Sequence, residues 1–72
     1  MSKIMQEAKK LIIVYDNQGW NTLGFEFDYD NHAAICVMKH ENGNKMRMCI
    51  DYHTQTINVY INGKLKDQTI IK

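Results

Sequence analysis

The stretch AAICVMKHENGNKMRMCIDY, residues 33–52, decides how the chain folds. At its middle stands Asn42-Gly43, a strong hairpin signal, because a type I′ turn needs positive φ at both central residues and Asn and Gly tolerate it. With those two residues as the loop, Glu41 faces Asn44, Val37 faces Met48, Ile35 faces Ile50 and Ala33 faces Tyr52. The apolar positions then share one face. A slip of one residue sets Ile35 and Val37 against Cys49 and Arg47 instead, so the apolar pattern favours the two-residue turn.

Downstream, Ile57, Val59 and Ile61 match Tyr52, Ile50 and Met48 if the chain turns through His53 to Thr56. Asn62-Gly63 repeats the turn signal and predicts a further strand. A two-residue turn there pairs Leu65 with Tyr60 and sets Lys64 and Lys66 beside the apolar face, which reads as a frayed edge strand guarded by lysines. Upstream, Leu23, Phe25, Phe27 and Tyr29 alternate with Thr22, Gly24, Glu26 and Asp28, the period of a half-buried strand. A loop of Asp30, Asn31 and His32 sets Phe27 against Ile35 and Phe25 against Val37.

Before Gly19 the period changes. Ile4, Ala8, Leu11, Ile12 and Tyr15 form one stripe of a 3.6-residue helix, with Ser2 as N-cap and Gly19 as the stop. Ile12, Ile13 and Val14 are β-branched, so a helix ending near Lys10 followed by a buried strand over Leu11 to Tyr15 is the competing reading. The stripe favours the longer helix. The expected fold is α+β: an N-terminal helix (about 3–17) packed on one face of a four- to five-stranded antiparallel meander (about 22–29, 33–40, 45–52, 56–61 and 65–71), one domain over 1–72. Trp20, at the junction, caps the end of the core.

A chain of 72 residues supports one small core, which excludes a multi-domain reading. An apolar fraction of 44% with a net charge of +1 argues against disorder and against a nucleic-acid binder that works by bulk charge. The longest apolar run, Leu11 to Tyr15, is far below the roughly 18 residues of a membrane span, and residues 1–10 lack the apolar region of a signal peptide. The reading is a cytoplasmic protein without a membrane partner. Nine Ile, eight Lys, seven Asn and no Pro suit AT-rich codons, the make-up of small reading frames in low-GC bacteria and their phages.

No phosphate-cradling loop, H-E-x-x-H, C-x-x-C or G-x-S-x-G occurs, and no nucleophile stands with a base and an orienting acid. The expectation is a protein that is not an enzyme and takes no cofactor. Cys36-x3-His40 and Cys49-x3-His53 suggest zinc, yet four residues of strand span about 13 Å, too far for two ligands of one metal, so no metal site is expected. The same register sets Cys36 opposite Cys49, where a disulfide is sterically allowed, although thiols are the default in a reducing cytosol. Asp28, Asp30 and Asp51 gather at one end with His32 and His53, and solvated histidines are the ordinary reading there.

If the helix covers one face, the other is left for a partner. On it the expected register places Cys36, Met38, Cys49, Tyr60 and Ala34 as an apolar patch with Arg47 beside it, where a solvated sheet carries Thr, Lys and Glu. Met38, Arg47, Tyr60, Cys36 and Cys49 are therefore the candidate contacts to a protein partner. Both Asn-Gly turns fall at one end of the sheet among Lys39, His40, Lys45, Arg47, Lys64 and Lys66, a basic rim that gives a nucleic-acid alternative. The expected function is a non-enzymatic protein-binding module, a small inhibitor or adaptor of phage or mobile-element type that occludes a host protein. A homodimer through the uncovered face or an edge strand is compatible with either function.

Overall fold

Ser2 starts the first element. In the computed structural model, which describes residues 2–72, the Ser2 hydroxyl accepts the Met5 N–H at 3.3 Å and caps helix α1, Lys3–Asp16. Ile4 and Ala8 are fully buried, Met5, Leu11, Ile12 and Tyr15 pack around them, and Ile13 and Val14 face outward. Residues 11–15 are thus helical rather than extended. The β-branched run costs only a few tenths of a kcal/mol per residue in a helix, less than burial of the stripe returns. Gly19, at φ +93°, then turns the chain into the sheet.

Five strands follow: β1 (Trp20–Asp28), β2 (Ala33–His40), β3 (Lys45–Asp51), β4 (Thr56–Ile61) and β5 (Lys64–Ile70). Each pairs antiparallel with its sequence neighbour in the order β1-β2-β3-β4-β5. Helix α1 lies against β1, β3 and β4. Beneath it, β2 contributes Ala34, Cys36 and Met38, β3 contributes Met46, Met48 and Ile50, and β4 contributes Ile57 and Val59, all 0–1% exposed. One helix on one face of a five-stranded antiparallel sheet is the α+β arrangement the periodicity predicts. No helix among the described residues is long and apolar enough to cross a membrane.

The register of the central hairpin differs from the expected one by a single residue. Ile35 pairs with Cys49, Cys36 with Met48, Val37 with Arg47 and Met38 with Met46. The cause lies in the turn: Gly43 is left-handed at φ +97° while Asn42 is not, and the bonds Gly43 N–H to His40 O (2.9 Å) and His40 N–H to Asn44 O (2.8 Å) enclose a three-residue loop. That is a type I turn closed by a glycine bulge, the second common hairpin geometry. Side chains fix it. His40 Nδ1 accepts the Asn42 N–H at 3.1 Å and Asn42 Oδ1 accepts the Asn44 N–H at 3.0 Å.

The first hairpin shifts as well. Asp28 pairs with Ala33 across a four-residue loop in which Asn31 donates its N–H and its side-chain amide to the Asp28 carboxylate, and His32 is left-handed at φ 51°. Phe27 therefore pairs with Ala34 and Phe25 with Cys36, not with Ile35 and Val37. Ile57 and Val59 pair with Ile50 and Met48, two residues along from the expected partners but on the same face. At Asn62-Gly63 both residues are left-handed, at φ 52° and 83°, as a type I′ turn requires, and Leu65 pairs with Tyr60 as expected. Extra residues in the pairing leave Leu23 of β1 and Lys66 of β5 without a partner across the ladder, one bulge on each edge strand.

Candidate functional site

The outer face, away from α1, is set by the same pairings. One row across the strands runs Gly24, Val37, Arg47, Tyr60, Leu65, the next Glu26, Ile35, Cys49, Asn58, Gln68, and the third Asp28, Ala33, Asp51, Thr56, Ile70. Ile35, Val37, Cys49 and Tyr60 are half-buried by their neighbours in the sheet, and Leu65 and Ile70 stand 56% and 60% exposed. This face therefore carries a band of apolar side chains with nothing over it among the described residues. A sheet face of this size is ordinarily polar when it meets only water.

Arg47 lies across the Tyr60 ring, its guanidinium carbon 5.6 Å from the ring centroid, and the two side chains flank an open depression of about 390 Å³ with Lys45 and Asn62. Toward the Asn-Gly turns, Lys39 pairs with Lys45 on the same side of the sheet. The turns themselves are tied together, since Asn62 Oδ1 accepts the Lys45 N–H at 3.1 Å and its amide donates to Asn44 Oδ1 at 3.1 Å. At the opposite end stand Asp28 and Asp51, with Glu26 on the row between. Hydrogen bonds from Asn31 hold the Asp28 carboxyl below its ordinary value, and backbone N–H groups of Thr54 and His53 do the same for Asp51, so both stay ionised well into acid.

The residues proposed from sequence divide. Arg47, Cys49 and Tyr60 stand together on the outer face. Met38 and Cys36 do not: both are fully buried beneath α1, a correction that follows from the one-residue shift, and burial pushes the Cys36 thiol above its ordinary value. Ala34 is buried with them. Cys36 and Cys49 consequently lie on opposite faces of the sheet and cannot form the cross-strand pair, and Cys36 with His40 and Cys49 with His53 do not converge on one metal. Among the described residues no three His, Cys, Asp or Glu side chains are grouped to hold an ion.

The basic rim divides too. Lys39, Lys45 and Arg47 share the outer face, whereas Lys64 pairs with Ile61 on the helix side and Lys66 occupies the β5 bulge. His40 is a structural joint: its Nε2–H donates to Gln18 O at 2.8 Å and its ring meets Trp20 edge-on with centroids 5.0 Å apart. At the other end the His32 and His53 rings stack at 6.4 Å. The outer-face residues missed in the sequence are Ile35, Val37, Leu65 and Ile70. The sequence pattern directs the first two to the core because residues 33–38 are apolar on both sides, which removes the alternation that orients a strand. Compared with protein-family models, curated proteins and solved structures, the chain gives no match.

Proposed function

We propose that the protein is a non-enzymatic protein-binding module that works through the outer face of its sheet. The observation that carries this reading is the apolar band of Ile35, Val37, Tyr60 and Leu65, interrupted by one cation, Arg47, laid on an aromatic ring. Aromatic and arginine side chains within an apolar patch are the composition of energetic centres in protein interfaces. In its finer form the reading is a small inhibitor or adaptor, of the kind phages and mobile elements carry, that occludes a functional surface of a host protein. Size, composition and the lack of a catalytic constellation suit that role, and the step is by analogy.

A second reading rests on Lys39, Lys45 and Arg47, three cations on one side of the sheet next to Tyr60, which suit a nucleic-acid backbone. One experiment separates the two. The tagged protein and its Val37→Glu variant are incubated with nuclease-treated and untreated lysate of a low-GC bacterium, and the retained material is identified by mass spectrometry. The proposal expects one stoichiometric protein that survives nuclease, tolerates raised salt and is lost with Val37→Glu. Equal retention by the variant overturns it, and retention that vanishes with nuclease and salt moves the basic side chains to first place.

A further inference from the structure

Resting on the reading of the outer face as a protein-binding surface, we infer that in the free protein this face closes on a second copy of the same chain. The two sheets pack face to face about a dyad that crosses the strands at the level of Cys49. Along the strands the face is polarised, with Lys39, Lys45 and Arg47 toward the Asn-Gly turns, Asp28 and Asp51 toward the other end, and Glu26 on the row between them.

A face-to-face dyad lies in the plane of contact and has two simple directions. Along β3, it sets Arg47 over the partner's Arg47 and Asp51 over the partner's Asp51, so like charges coincide. Across the strands it exchanges the two ends. With the axis on the row of Ile35 and Cys49, Arg47 lies over the partner's Asp51, Val37 over the partner's Ala33, and Leu65 over the partner's Ile70. Ile35 and Cys49 then meet their own counterparts. Glu26, on the same row, also meets its counterpart, but at the exposed margin of β1, where solvent and salt screen the repulsion. In this direction the Arg47–Asp51 pair forms twice, and apolar side chains lie over apolar ones.

Size sets the strength. Five strands about 4.8 Å apart and seven residues long cover about 24 by 23 Å, roughly 550 Å² per copy and roughly 1,100 Å² for the pair. That is near the lower end of interfaces that hold, so the dimer dissociates on dilution and yields by mass action to a tighter partner. Packed sheets cross at about 30°, which displaces outlying pairs most and side chains on the axis least. Ile35 and Cys49 are therefore the positions to probe.

Three measurements test the inference. Sedimentation of the unmodified protein is expected to show a monomer–dimer equilibrium that shifts with concentration. A short bismaleimide is expected to link Cys49 to the partner's Cys49, because Cys36 is buried, and Cys49→Ser is expected to abolish the product. Ile35→Glu and Ile35→Lys, each checked for fold by circular dichroism, are expected to be monomers alone and a heterodimer when mixed, as only a residue opposite itself allows. If either variant unfolds, the cross-link in the unmodified chain carries the test.

A monomer at every concentration with no thiol cross-link overturns the inference, as does a dimer that Ile35→Glu leaves intact. The broader reading fails separately. If the protein is monomeric yet Ile35→Glu loses the lysate protein that the unmodified chain retains, self-association falls and the binding face stands. If Ile35→Glu changes neither, both fall.

Discussion

His40 joins three parts of the chain. A carbonyl can only accept and an N–H can only donate, so the imidazole with its proton on Nε2 satisfies Gln18 O at 2.8 Å and the Asn42 N–H at 3.1 Å together. His40→Ala removes both bonds and the ring contact with Trp20. Each bond is worth about 1 kcal/mol, and a fall of about 2 kcal/mol in stability is expected, read as a lower urea midpoint by Trp20 fluorescence. Gly19 belongs to the same joint: at φ +93°, a Cβ there would lie 3.0 Å from His40 Nε2, so Gly19→Ala is expected to destabilise as well. Asp28 and Asp51 make part of the stability sensitive to acid. Hydrogen bonds from Asn31, and from the Thr54 and His53 backbone, hold both carboxyls below their ordinary value in the folded chain, so the unfolded chain takes up protons first as pH falls. Their contribution is present above that value and is lost as pH drops through the folded-state values below it. The thermal midpoint is expected to fall on acidification below about pH 4, and the double variant Asp28→Asn, Asp51→Asn to show a shallower fall.

The central hairpin shows what alternation can and cannot specify. In β3 the apolar Met46, Met48 and Ile50 alternate with Arg47, Cys49 and Asp51, and in β4 Ile57 and Val59 alternate with Asn58 and Tyr60, so these strands could be oriented from sequence and Arg47, Cys49 and Tyr60 were placed on the correct side. In β2 every residue from Ala33 to Met38 is apolar. Its orientation then depends on the turn alone, and Asn-Gly serves two turns that differ by one residue. The same dipeptide takes both forms here: positive φ at both residues in Asn62-Gly63, and at the glycine alone in Asn42-Gly43. What separates them is the side chains around each turn, with His40 holding the first and Asn44 bonding to Asn62 at the second. No pattern in the linear sequence announces that difference. The register makes a direct prediction. Ile50, fully buried, and Ile35, half-buried on the outer face, are the same residue type on adjacent strands. Ile50→Ala is expected to cost about 2–5 kcal/mol and Ile35→Ala less than half of that, by chemical denaturation at low protein concentration.

A helix over one sheet face gives the molecule a single thin core, and three of its fully buried side chains are the methionines Met38, Met46 and Met48. Domains of this size rarely exceed about 3–5 kcal/mol of stability, so Ile4→Ala, which opens the contact of α1 with the sheet, is expected to remove most of the helical circular dichroism signal at 25 °C. The helix cannot hold itself, since an isolated helix of 14 residues is marginal in water. The sheet differs, because every strand pairs only with the strand before or after it. The loops between them are two to four residues long by the pairings observed, so each pairing closes a short stretch of chain and little loop entropy opposes it. Chains rich in such local pairings fold quickly. Refolding after a rapid dilution from denaturant is therefore expected within milliseconds, with no proline isomerisation phase, since the sequence has no proline. During synthesis each hairpin can close as it clears the ribosome, and only the docking of α1 must wait for β3 and β4 to appear.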